Sequence, residues 1–116
     1  MNEKQFTAEY LSEALIQLGE LSPENRIKII EAIRTFELVG TAYKNLNDLG
    51  EGLFEIKPKG VRAYFMYDYN RRCVIIVGFI CLKTTQKAPP RYMKQARKLI
   101  TSYLETERKE LKQCKN

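Results

Sequence analysis

The chain has 116 residues, 44% of them hydrophobic and 29% charged, with a net charge of +6, the size and balance of one globular domain built around a single core. No apolar run reaches the roughly 18 residues of a membrane span, and the start Met1-Asn2-Glu3-Lys4 lacks the apolar core of a secretory leader, so a cytoplasmic chain with no membrane partner is expected. With no histidine, and with Cys73, Cys81 and Cys114 at no metal-type spacing, no zinc site is expected and the thiols read as reduced and idle.

From about Lys4 to Gly19 the apolar residues Phe6, Tyr10, Leu11, Ala14, Leu15 and Leu18 fall on one helical stripe. A short strand over Lys4–Thr7 is the alternative, but no alternation supports it. Ser22-Pro23-Glu24 opens a second helix: a serine accepts a backbone hydrogen bond at the N-cap, a proline fits the first turn, and a glutamate complements the helix dipole. Ile27, Ile30, Ile33, Phe36 and Val39 form its expected buried face, and Gly40 its stop. The two helices predict an antiparallel hairpin over about 4–40.

Thr41–Glu51 has no clean period and reads as a loop. Leu53–Lys57 alternates as a strand, and Pro58-Lys59-Gly60 turns the chain. Val61–Tyr69 alternates again, with Val61, Ala63, Phe65, Tyr67 and Tyr69 on one face and Arg62, Tyr64, Met66 and Asp68 on a second, polar one. Asn70-Arg71-Arg72 turns into the apolar strand Cys73–Leu82, completing an antiparallel meander over about 53–82. A polar loop from Lys83 to Ala88 leads to a last helix over about 90–112 with Met93, Ala96, Ile100, Tyr103 or Leu104, and Leu111 on its apolar stripe. The expected architecture is α+β: a helical hairpin, a three- to four-stranded antiparallel sheet and a C-terminal helix, in one domain over 1–116.

Charge is segregated along this order. Residues 1–51 hold 5 basic and 9 acidic side chains, whereas residues 52–116 hold 15 and 5. A second half with a net charge of +10 points to a polyanionic partner, with a merely solvated basic surface as the alternative. Lysines, arginines and tyrosines interleave from Gly52 to Ala96, a pattern suited to a phosphate backbone carrying bases that can stack.

Gly52-Leu53-Phe54-Glu55-Ile56-Lys57, then Arg62 followed by aromatics, an apolar strand, and Lys83-Thr84-Thr85-Gln86-Lys87-Ala88-Pro89 before a helix with Ala96 resemble the RelE/HigB-type toxins of type II toxin–antitoxin pairs, in a phage-derived branch. The likeness runs from about Glu9 to Leu104. It departs from the family pattern at Thr84, where a second lysine is common, at Ile80-Cys81, in the lack of an evident N-terminal strand and in the absence of histidine.

The resemblance implies a metal-independent, cofactor-free endoribonuclease that cuts messenger RNA on the ribosome and is neutralised by a cognate antitoxin. A gyrase-inhibiting toxin of the same fold and a phage-derived nucleic-acid-binding regulator are the alternatives. Attack of a 2′-hydroxyl on the scissile phosphate needs a proton acceptor, cations for the phosphorane and a donor for the leaving oxygen. The candidate catalytic residues are Arg62, whose fork suits a phosphate, Lys57, as proton acceptor or phosphate clamp, Lys83 and Tyr92. Lys59, Tyr64, Lys87, Arg91 and Lys94 are the candidate RNA-binding residues. For Arg62 the structural alternative is an ion pair with Glu55 across the hairpin; for Tyr92 it is a core-edge ring. The antitoxin is expected to lie across the face bearing Lys57, Arg62 and Lys83, or against the helical hairpin.

Overall fold

A computed structural model describes residues 3–113, so Cys114 lies outside the described residues. Five strands form one mixed sheet: β1 (Thr7–Tyr10), β2 (Leu46–Gly50), β3 (Leu53–Ile56), β4 (Val61–Tyr67) and β5 (Val74–Leu82). Their spatial order is β1-β5-β4-β3-β2. β2 to β5 pair antiparallel, and β1 lies parallel to β5. Helices α1 (Ser12–Glu20) and α2 (Pro23–Val39) follow β1, and α3 (Pro90–Gln113) closes the chain. Among the described residues no helix is long and apolar enough to cross a membrane.

The helix starting at Pro23 forms as its sequence signals require. Ser22 Oγ accepts from Asn25 N at 3.2 Å. The helix ends at Gly40, at φ 60°, whose N–H donates to Phe36 O; a Cβ there would sit 2.8 Å from Gln5 Oε1 and 2.9 Å from the Phe6 ring. The buried face differs from the expected stripe. Ile29, Ala32, Ile33, Phe36 and Glu37 turn inward, whereas Ile27 and Val39 are exposed. Glu37 is the reason a charge turns inward: its carboxylate accepts from Ala8 N at 2.8 Å, and its backbone carbonyl accepts from Gln5 N and Phe6 N. α2 thereby holds the edge strand β1.

Two further expectations are corrected. The first helix does not begin near Lys4: Thr7–Tyr10 is a strand, with Thr7 N donating to Cys73 O at 2.8 Å and Leu11 N to Val77 O at 2.9 Å. Over so few residues a helical stripe cannot be told from a short strand, and the free edge of β5 decides. Likewise Thr41–Glu51, read as a loop, contains a 3-10 turn and β2, which pairs with β3 through a bulge between Asp48 and Gly50. With β1 and β2 added to the expected meander, the sheet has five strands rather than three or four, and it is mixed.

Both faces of the sheet are covered. On the side of α1 and α2, Phe36, Ile56, Ala63, Phe65, Ile75 and Val77 form a core in which Phe36 meets Phe65 at 5.0 Å between ring centroids. On the other side Leu53, Tyr64, Ile76 and Phe79 pack under Ala96, Ile100 and Leu104 of α3. Each such large apolar side chain contributes roughly 1.5–3 kcal/mol when fully buried. Gly78, the extra residue where the β4–β5 register slips, lets α3 approach: a Cβ there would press on Ile100 Cγ1 and sit 2.8 Å from its Cδ1. The face of β4 expected to be polar and open is thus interior.

Candidate functional site: a buried Glu55–Arg62 pair beneath a cationic loop

The segment Lys83–Pro89 leaves β5, crosses the ends of β3 and β4, and enters α3. Beneath it, Glu55 on β3 and Arg62 on β4 point to the α3 side of the sheet. Arg62 Nε lies 2.9 Å from Glu55 Oε2; the N–H does not aim squarely at the oxygen, so this contact is Coulombic first. The rest of the guanidinium faces the loop. Nη2 donates to Thr85 O at 2.9 Å and Gln86 O at 3.3 Å, and Nη1 to Lys87 O at 3.4 Å. Lys57 Nζ donates to Gln86 O at 3.3 Å and stands 3.8 Å from Glu55 Oε1. Asn47 Nδ2 donates to Glu55 Oε1 at 3.0 Å. A buried ion pair is tolerated when such extra partners satisfy its remaining donors and acceptors. Two cations thus fasten the loop by its carbonyls.

The structure separates the sequence-predicted residues into three groups. Arg62 and Tyr64 are interior, 1% and 0% exposed. That corrects the expectation of an open polar face, because α3 and the loop cover it. Tyr64 is packed against Phe79 at 5.9 Å and presents no ring to a base. Burial pushes its phenol well above the usual value, and burial likewise raises the thiol of the neighbouring Cys81. Tyr92 is a half-buried ring at the edge of the core, 5.1 Å from Phe79, with the Arg91 guanidinium 4.9 Å over its face. Its hydroxyl accepts from Arg91 Nη2 at 3.3 Å. The remaining residues, Lys59, Lys87, Arg91 and Lys94, are exposed, and Lys57 and Lys83 are half-buried. These six cations border the loop and its two ends. Among the described residues no group of three or more Cys, Asp or Glu side chains is placed to hold a metal ion.

Sequence reasoning missed Asn47, which reaches this cluster from a strand that had been read as a loop. The cross-strand pairing Asn47↔Glu55 is a tertiary fact that no local pattern carries. It also missed a second cluster at the far end of α3. Arg71 joins Glu9 (2.7 Å), Asp68 (3.0 Å) and Glu107 (2.9 Å), tying β1, the β4–β5 turn and α3 together. Arg71 holds the carboxyl of Glu9 below its ordinary value, and hydrogen bonds from Glu107, the Asn70 backbone and Arg71 do the same for Asp68 against the cost of its burial. Burial raises that of Glu107.

A family model described as "Phage derived protein Gp49-like (DUF891)" matches residues 17–101, from the middle of α1 through the apolar part of α3. The chain belongs to this family. The matched span of this Gp49-like protein contains the whole Glu55–Arg62 cluster and its loop. Two solved structures share its fold. The RelBE2 toxin–antitoxin complex of Mycobacterium tuberculosis aligns with a TM-score of 0.57 at 15% identity, covering 67% of this chain and 98% of that one. The isolated RelE toxin of E. coli aligns with a TM-score of 0.55 at 14% identity, covering 80% and 97%. A comparison with curated proteins finds no sequence match. The Gp49-like chain therefore has a RelE-like α+β fold, as its motifs led one to expect.

Proposed function

We propose that this chain is the toxin of a toxin–antitoxin pair and a metal-independent endoribonuclease acting on messenger RNA at the ribosome in the cytoplasm. The observation that carries the reading is the border of six cations, Lys57, Lys59, Lys83, Lys87, Arg91 and Lys94, around a loop whose carbonyls Arg62 and Lys57 hold. A phosphate oxygen offers Arg62 and Lys57 the same acceptor as the carbonyls of Thr85–Lys87, with a full negative charge added. Exchange of carbonyl for phosphate would open the loop and place a guanidinium and an ammonium on the scissile group, where they stabilise the phosphorane. Lys83 and Lys87 hold the strand on either side. The RelE-like fold, shared with a protein solved as a toxin–antitoxin complex, supports an antitoxin partner that covers this basic edge or the helical hairpin.

Induction in growing cells followed by mapping of message 5′ ends tests the activity. The reading expects new ends inside translated messages, absent from a Lys57→Ala, Lys87→Ala double variant. Growth arrest with intact messages and relaxed plasmid would refute it in favour of gyrase inhibition. With purified components, affinity for single-stranded RNA should fall with salt at a log–log slope of roughly −0.7 per phosphate neutralised. A slope near zero would exclude any polyanion.

A further inference from the structure

The two edges of the sheet are finished differently. On the outer side of β1, Ala8 N donates to Glu37 Oε2 at 2.8 Å, and past the end of β1 Ile80 N donates to Gln17 Oε1 at 2.7 Å. Side chains close that edge. β2 is the last strand on the other side. There Lys57 N donates to Asn45 O at 2.9 Å, and Asn47 lies opposite Glu55. Alternate residues of an antiparallel ladder bond to the same neighbour. Asn45 and Asn47 therefore bond towards β3, and the N–H and C=O of Leu46 and Asp48 point outward. The open stretch ends at the bulge, where Arg97 Nη2 donates to Leu49 O at 3.4 Å and Gly50 O at 3.1 Å. Unpaired edge groups recruit a further strand unless charge or distortion prevents it.

The charges on this edge have an order. Lys44 and Asp48 are exposed, with the half-buried Leu46 midway between them. Neither enters an ion pair among the described residues. Asp48 Oδ1 accepts from Gly50 N at 2.9 Å, which fixes the carboxylate at the edge. One sign of charge along an edge keeps copies apart. Two signs at this spacing fit one kind of neighbour, an antiparallel strand that brings an acid, an apolar residue and a base in register. The segment Lys44-Asn45-Leu46-Asn47-Asp48 is itself such a strand. With Leu46 opposite the partner's Leu46, each Lys44 meets the partner's Asp48, and cross-strand pairs of both kinds stabilise a ladder. Val39, Ala42 and Tyr43 wall an apolar cleft of about 320 Å³ beside the start of β2, which adds apolar surface next to the joint.

We propose that the β2 edge docks a second copy of this chain, paired antiparallel through residues 44–48 about a twofold axis at Leu46. Two five-stranded sheets then become one. The contact is isologous and closes on itself, so it yields a dimer and no filament. It is small, and belongs with weak, transient interfaces. The net charge of +6 on each chain opposes it, and physiological salt, which screens charges further apart than about 8 Å, relieves that repulsion. In this register the partner's Asn45 stands opposite Asn47, whose side chain donates to Glu55 Oε1. The second copy thus forms a wall on the β2 side of the cation-bordered site. The pairing does not depend on what that site binds.

The test is sedimentation velocity of the whole chain with reductant at physiological salt, from micromolar to millimolar concentration. Monomer should give way to dimer and to nothing larger. Lys44→Asp leaves two acids on the edge and Asp48→Lys two bases, so each variant alone should dimerise roughly tenfold or more weakly than the parent. Mixed together, the two variants should associate, because every acid then faces a base. The chain carrying both changes should dimerise like the parent. Amide spectra confirm the fold of each variant. Solvent exchange of the Leu46 and Asp48 amides should slow as the parent concentration rises. A parent that stays monomeric at millimolar concentration, single variants that dimerise like the parent, a mixture that does not associate or a double variant that does not recover would overturn the proposal. Dimerisation without slowed exchange at Leu46 and Asp48 would place the contact elsewhere and refute this edge. Protection of both amides at high dilution would refute it too, since the chain would then cover its own edge.

Discussion

Arg62→Ala is the substitution on which sequence and structure disagree most. Placed on an open strand face, Arg62 would be removable at no cost to folding. In the structure its loss leaves the Glu55 carboxylate, with a side chain 3% exposed, facing a cavity with Asn47 at 3.0 Å and Lys57 at 3.8 Å as remaining partners. Breaking one side of a buried pair typically costs about 3–5 kcal/mol. Lys57 offsets part of this, so the lower end is expected, about 3 kcal/mol of a total of roughly 5–15 kcal/mol for a domain of this size. With a urea m-value of about 1–3 kcal/mol/M, the unfolding midpoint should fall by about 1–3 M. Equilibrium urea unfolding followed by circular dichroism measures it. Amide exchange at residues 84–88 should quicken in the same variant, since the guanidinium no longer holds the loop carbonyls. A double variant, Glu55→Gln with Arg62→Met, should regain part of the loss, because neither charge is then left alone. A midpoint shift worth less than about 1 kcal/mol with an unchanged m-value would show that the guanidinium does not stand closed under the loop.

Two further outcomes follow from the packing of α3. Gly78→Ala should destabilise the fold by about 1–3 kcal/mol through overpacking, with Ile100→Val in the same chain restoring part of it; thermal unfolding of the three variants decides, and a neutral Gly78→Ala would mean that α3 does not lie so close to the sheet. At the other end of the helix, Arg71→Met should remove part of the acid dependence of stability. The lowered values of Glu9 and Asp68 mean that their contribution is full above their ordinary values near 4 and is lost as the pH falls through the folded ones, while Glu107, raised by burial, works in the opposite sense. Stability measured from pH 6 to pH 2.5 should therefore decline less steeply in the variant than in the parent, and identical slopes would contradict the network.

Much of this protein was legible in local chemistry. Ser22, Pro23 and Gly40 mark α2 because capping is a property of a few adjacent residues. Alternation marks β3 and β4, an unbroken β-branched apolar run marks β5, and Pro89-Pro90 opens α3, for the same reason. The order of these signals, with the charge gathered after Gly52, sufficed to place the chain among RelE-like proteins. Wherever a partner distant in sequence supplied the missing bonds, the local pattern was silent or misleading. β1 exists because β5 offers a parallel edge and Glu37 a carboxylate. β2 exists because β3 does, despite an Asn-Asp sequence that favours a turn. The site divides the same way. Composition identified the cations, since charge is read residue by residue. Only the tertiary structure decided that Arg62 and Tyr64 are interior, because alternation says which residues share a face and not what covers it. The cover over Tyr64 is α3, which the absence of a side chain at Gly78 lets lie close to the sheet, and the cover over Arg62 is the loop whose carbonyls it holds.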